Sequence, residues 1–376
     1  MTDIREAPAD RSRLLLRELE QPRDIFANIG PNWYASVMGT GIVGGAAATL
    51  PIQFPGLRGW GTVIWGLATV WLVVLTVAWA VHWTLHTEQA RGHATNPTMA
   101  QFWGAPAMGL MTIGLGFAQF GPSLIGTTPA LSTSWVLWSL GTALGLFTTA
   151  WIPYMMITRH EIGPDSAFGG WLMPVVPPMV SAANGSLLIG HMAPGFGRET
   201  MLLACYAMFG ISLFATLAIL PQIWNRLVVH GAGAASAVPT LWIVLGPLGQ
   251  SVAATNLLAN QARGVLGEPY ASGAEVFGLF YGFATWGFAM IWIALAGAVT
   301  IRTLRRKMPF ALTWWSFTFP VGTCVTGTSA LASRTHVPAL AWWAMGLYAL
   351  LVVAWLVVAV RTAHHSVVRG DILAPA

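Results

Sequence analysis

The sequence predicts an all-α integral membrane protein, on three observations. Ten apolar stretches follow one another from Trp33 to Val360, with no charged residue in any interior. Each matches the about 20 residues a helix needs to cross roughly 30 Å of hydrocarbon. Only 8% of the 376 residues are charged and 55% are hydrophobic, against about 25% charged in soluble domains, so a soluble fold would lack polar side chains to cover its surface. The lysines and arginines alternate with the spans: fourteen fall on the side carrying both termini, and Arg58, Arg198, Arg263 and Arg334 on the other. Positive residues are retained in the cytoplasm, so both termini are expected there, with the chain in the plasma membrane. Charges split among short loops form no stripe for nucleic acid.

Residues 1–31 read as a cytoplasmic arm whose first 24 residues hold eleven charges and no apolar run of signal-peptide length. Within it, 11–20 is expected to be a short solvated helix, with Leu14, Leu15 and Leu16 against lipid as the alternative. A ten-helix domain over 32–361 divides into spans at 32–50, 60–82, 102–121, 131–152, 172–190, 200–221, 239–260, 275–301, 311–332 and 338–360, and a cytoplasmic tail follows at 362–376.

The odd spans are punctuated by helix breakers, while the even ones carry proline only at their ends. A recurring order of aromatic, proline and glycine appears in Trp103, Pro106 and Gly109; in Trp242, Pro247 and Gly249; and in Trp315, Pro320 and Gly322. Proline inside a helix removes a backbone hydrogen bond, and in lipid the freed group needs another partner. Pro106, Pro177, Pro247 and Pro320 are therefore expected to kink helices of an inner ring around a pathway, with the even helices outside facing lipid. Polar side chains also concentrate on the odd spans, and Thr40, Asn184, Gln250, Asn256 and Thr323 are the candidate ligand contacts. Hydroxyl and amide donors beside the positive ends of broken helices suit an anion, and no carboxylate is expected along the path. Arg58, Arg198, Arg263 and Arg334, each following an odd span, are candidates for gathering anions at the outer mouth.

Other signals are discounted. GTGIVG at 39–44 fits the spacing of a dinucleotide loop but lies inside a membrane span, where small residues serve close packing. Gly141 with Gly145, and Gly278 with Gly282, suit packing between helices or subunits. His82 and His86 could share a helix face, but the other histidines supply no further metal-binding boxes, so no metal or cofactor is expected. Cys205 and Cys324 sit alone in different spans and form no CxxC site.

The motifs PNWYASVMGTGIV, LMPVVPPMVSAANG, GPLGQ and WWSFTFP, in this order along ten spans, resemble the tellurite-resistance/dicarboxylate transporter family. Its relatives include malic-acid permeases, sulfite exporters and slow-type anion channels. The resemblance implies five helical hairpins in quasi-fivefold symmetry around a central pore, often in a trimer whose subunits each conduct. It also implies a ninth-span phenylalanine that occludes the pore: Phe319 by its place before the proline, with Phe317 as runner-up. The implied activity is transport of small anions and not enzymatic. C4-dicarboxylates such as malate or succinate come first, with sulfite export or passive chloride or nitrate conduction as alternatives.

Overall fold

Each odd span folds as two pieces, a short 3-10 segment followed by a short α-helix. The computed structural model describes residues 15–19 and 21–374. The 3-10 segments are Pro31–Trp33, Met99–Trp103, Gly169–Leu172, Ala235–Val244 and Leu312–Phe317. The helices, in chain order, are α1 (Tyr34–Thr49), α2 (Leu57–Leu85), α3 (Thr87–Thr95), α4 (Gly104–Phe120), α5 (Pro122–Ile125) and α6 (Thr127–Thr158). They continue as α7 (Pro177–Ile189), α8 (Phe196–His230), α9 (Leu245–Ala262), α10 (Tyr270–Leu304), α11 (Phe319–Thr335) and α12 (Pro338–Ala363). No strand occurs among the described residues.

Prolines mark where the short helices begin and do not kink them midway. Pro177 and Pro320 occupy the first two positions of α7 and α11, and Pro106 and Pro247 the third of α4 and α9. First-turn amides have no intrahelical acceptor, so a residue without an N–H costs nothing there. The interruption is the change from 3-10 to α geometry. Prolines do lie within two of the long helices, Pro153 in α6 and Pro221 in α8, because these helices run on past the predicted span ends.

Among the described residues, six segments are long and apolar enough to cross a membrane. Five of them contain the long helices α2, α6, α8, α10 and α12, whose most apolar windows are only 22–33% buried, whereas the sixth, Ala235–Ala262, is 94% buried. A protein buries one kind of apolar helix and presents the other to lipid. At 1.5 Å per residue the remaining short helices of 13–17 residues reach about 20–25 Å, and approach a bilayer's thickness only with their 3-10 extensions.

Contacts between the short helices close on themselves: α1 packs on α4, α4 on α7, α7 on α9, α9 on α11, and α11 back on α1. Each packs as well on the long helix that follows it. Tryptophans fasten the two layers together. From the long helices, Trp65 donates to Ile113 O (3.1 Å), Trp138 to Ser181 O (3.0 Å), Trp286 to Thr328 Oγ1 (3.0 Å) and Trp355 to Thr40 Oγ1 (3.1 Å). On α8, Ser212 takes this part, donating to Val175 O (2.5 Å) and accepting from the Met179 amide (3.0 Å).

Small residues let the backbones approach, as expected of the glycine-rich first span. A Cβ on Gly39 would strike Thr318, one on Gly41 would meet Thr112 at 2.7 Å, and one on Gly44 would meet Gly61 O at 2.6 Å. The three glycines thus face three different neighbours of α1. The paired glycines of α6 and α10 also face inner helices of the same chain, Gly145 against Pro177 and Gly278 against Thr255 O.

The first and last described segments of the chain meet. Backbone amides of Leu16, Arg17 and Glu18 donate to the carbonyls of Val367, Val368 and Arg369, at 3.0, 3.2 and 2.8 Å, and Arg369 pairs with Glu18 at 2.8 Å. This corrects the expected helical arm: residues 15–19 form no helix, and Leu16 faces the C-terminal segment in place of lipid. Residues 11–14, including Leu14, lie outside the described residues.

Candidate functional site: a shared constriction and a polar pocket

The five inner units converge on one small cavity of about 20 Å³. Its walls come from the starts of all five: Ala35 and Met38; Phe102 and Met108; Met173 and Val176; Ile243 and Gly246; Trp315, Phe319 and Pro320. Because the short helices alternate with long ones that return the chain, they run in the same direction, and their positive N-terminal ends gather here. The wall is apolar but for Ser316 and carries no charge. A cavity of this size holds a single water, which needs about 10–15 Å³.

Phe319 is the first residue of α11 and is 3% exposed. Phe317 points elsewhere, edge-on to Trp242 and Trp314 at 5.6 and 5.8 Å, in a groove with Leu304 and Leu350. The structure therefore places Phe319 on the wall of the shared cavity and leaves Phe317 in outward packing.

Of the five polar candidates, four have their side chains committed to other helices. Thr40 receives the Trp355 indole. Thr323 is fully buried and donates to Pro320 O (2.7 Å) and Leu245 O (3.1 Å), tying α11 to α9. Asn184 donates to Met111 O (3.0 Å), joining α7 to α4. Asn256 donates to Val252 O and Gly278 O, both at 2.9 Å, and its Oδ1 accepts from Arg334 Nε at 2.7 Å. Gln250 alone among the five has a side-chain amide without a hydrogen-bond partner among the described residues. It sits one helical turn beyond Gly246, so it shares the face that lines the cavity.

At the far ends of the short helices a polar pocket of about 490 Å³ opens, lined by Thr49, Asn260, Arg263, Glu275, Thr326, Ser329, Ser333 and Arg334 among others. Two of the four expected mouth arginines meet here. Arg263 forms a two-point ion pair with Glu275, with Nη2 2.8 Å from Oε2. Arg334 is held by neutral acceptors only, Asn256 Oδ1 and O and Asn260 Oδ1, at 2.7, 2.9 and 2.7 Å. The pocket's uncompensated charge is therefore that of Arg334. Arg58 instead donates to Gln119 O (2.8 Å) at the end of α4 and lies 5.8 Å over Phe120, and Arg198 approaches Gly264. Neither lines the pocket. Sequence reading expected no carboxylate on the path and missed Glu275 and Asn260. Glu275 lies at a span edge, and the i, i+4 relation of Asn256 to Asn260 was the available signal for a second amide on that face.

Residues 28–363 match the voltage-dependent anion channel family. The chain is 27% identical over 362 residues to an uncharacterized transporter of Methanocaldococcus jannaschii, covering 95% of this chain and 99% of that one. It is 28% identical over 320 residues to the sulfite efflux pump SSU1 of Trichophyton rubrum, covering 83% and 84%. It is 21% identical over 309 residues to the malic acid transport protein of Schizosaccharomyces pombe, covering 77% and 67%. The chain belongs to the voltage-dependent anion channel family, which takes in the tellurite-resistance/dicarboxylate transporters its motifs resemble, and is a membrane transporter of small anions.

Proposed function

We propose that the chain exports sulfite through an axial path inside the five short helices, with Phe319 as the gate. The observation that carries this reading is the convergence of five helix starts on an apolar constriction of about 20 Å³ that Phe319 helps to wall. An anion there gains from five helix ends and loses its water at an uncharged wall, so passage requires the ring to move aside. Arg334 draws the anion at the outer pocket, and Gln250 offers its free amide between the pocket and the constriction. A compact oxyanion suits so narrow a path, and the sulfite pump is more similar to this chain, and more fully covered, than the malate transporter. C4-dicarboxylate transport is the second reading, favoured by the malate relative and by an outer pocket roomy enough for two carboxylates near Arg263 and Arg334.

In this reading 32–361 is a ten-span domain with quasi-fivefold symmetry, both termini are cytoplasmic in the plasma membrane, and subunits associate as trimers that conduct independently. The test is flux from proteoliposomes under clamped potential. Sulfite movement that malate does not block supports the first reading, saturable malate uptake blocked by succinate transfers the assignment to the second, and unsaturable chloride current rejects both carrier readings.

A further inference from the structure

A further cavity lies away from the shared constriction. A cleft of about 610 Å³ opens between the ends of α8 and α10, within the about 300–1,000 Å³ of small-molecule sites. These two long helices meet only through side chains, Phe209 against Phe277 and Tyr281 and, at the cleft, Trp224 against Trp292 with ring centres 6.0 Å apart, and the 3-10 segment before α9 floors the gap with Val238 and Leu241. Trp224 and Val228 of α8 and Leu295 and Val299 of α10 form its apolar walls. Val228 is 70% exposed and Trp224 49%, so the walls face whatever surrounds the protein.

One end of the cleft is basic. Arg302 and Arg306 line it and no acidic side chain does, and neither guanidinium group has a hydrogen-bond or ion-pair partner among the described residues. Arg305 and Lys307 adjoin them in sequence. Arg226, by contrast, is already used, holding the adjoining loop by bonds to Asp165 O and Gly231 O at 3.0 and 2.9 Å. The cleft thus joins an apolar slot on a lipid-facing surface to two unpaired guanidinium groups at its end, where α10 leaves its apolar run.

We propose that this cleft binds one anionic phospholipid, an acyl chain lying between α8 and α10 and the phosphate on Arg302 and Arg306. Arginine recognises phosphate through paired N–H donors, and basic pockets between membrane helices suit anionic headgroups. An uncharged sheath of lipid satisfies the walls but leaves both arginines unmatched. A soluble phosphate satisfies the arginines but leaves the walls exposed. The anionic phospholipid satisfies both. The site is separate from the axial path, so it stands whichever anion the protein carries.

The test is native mass spectrometry of the full chain in neutral detergent with phosphatidylglycerol or phosphatidylcholine added. The wild type retains phosphatidylglycerol in preference, and R302Q/R306Q loses that preference by roughly 30-fold, the sum of two surface arginines acting on an anionic headgroup. Val299→Trp, which fills the slot and keeps both charges, abolishes the preferential binding even if the double variant fails to fold. Equal retention of the two lipids by the wild type overturns the proposal. So does phosphatidylglycerol binding unaffected by Val299→Trp but displaced by inorganic phosphate, which marks a free-anion site. A change of oligomeric state in Val299→Trp with lipid binding unaltered would mean that a second copy covers the cleft, and equally overturns it.

Discussion

Replacing Phe319 by alanine separates gating from packing, because the two roles predict opposite changes in flux. The constriction of about 20 Å³ has room for one water at about 10–15 Å³, whereas sulfite has four heavy atoms and cannot share it with the phenyl ring. Truncating a buried phenylalanine costs about 3–5 kcal/mol of stability, with the larger losses where the space stays open. The helix starts around Phe319 are held from outside by other contacts: Trp315 donates to Thr362 Oγ1 at 3.0 Å, and Thr323 bonds Leu245 O at 3.1 Å. Collapse is therefore resisted, and the gap remains for the ion. A barrier lowered by only about 1.4 kcal/mol raises a rate tenfold. Phe319→Ala should thus melt at lower temperature yet release sulfite at least about tenfold faster from proteoliposomes of matched protein content. Phe319→Leu should fall between. Flux at or below wild type, in protein that elutes and melts as a folded species, would refute the gate.

Other outcomes follow from the polar contacts. Gln250→Leu should reduce transport by about tenfold, one charge-assisted hydrogen bond, with little change in melting temperature, since the amide has no partner to lose; unchanged transport removes Gln250 from the path. Arg334→Gln should slow anion capture by about tenfold at low salt and less at physiological ionic strength, whereas R263Q/E275Q removes a mutually neutralised pair and should leave the salt dependence of capture near wild type. Gly104→Ala should destabilise by about 1–3 kcal/mol through overpacking, because the new methyl meets the Met173 carbonyl; wild-type thermal stability would contradict that contact. Burial first, and then neighbouring His82, push His93 in the loop helix α3 down to about 4. Between about pH 6.5 and 4 the unfolded chain therefore takes up a proton that the folded chain refuses, so stability falls as pH drops through that window. The fall should be smaller in His93→Gln, as read by melting temperature at pH 7 and 5.

The membrane class and the two kinds of span were legible because burial in lipid is written in composition and helix interruption in proline and glycine. The inner–outer division rests on local signals of this sort, down to the three-way packing of Gly39, Gly41 and Gly44. Which polar side chains face the path was not legible. Thr40, Thr323 and Asn256 have the same residue types that an anion site needs, but each answers a partner far away in sequence: Trp355, Leu245 and Gly278. A chain rich in tryptophan must find acceptors for many indole N–H groups where water is absent, and inner-helix hydroxyls and carbonyls supply several of them. Proline was misread in position for a related reason: its tolerance in a first turn looks, in sequence, the same as a break within a helix. Glu275 and Arg263 are 12 residues apart, and only the packing of α10 on α9 brings them together.

The closed circuit of short helices has a consequence for synthesis. Tyr348 donates to Val43 O across 305 residues and Trp355 to Thr40 across 315, so α1 lacks two of its partners until the last helix has emerged. At about 5–20 residues per second, the first hairpin waits in the bilayer for tens of seconds with that flank open. A nascent chain stalled before α11 is thus an open arc with two unmated edges, vulnerable to pairing with another copy's edge. Because residues 16–18 and 367–369 then lie side by side, a chain cut between hairpins and rejoined by a linker from residue 369 to residue 16 should close the same circuit from a different starting point.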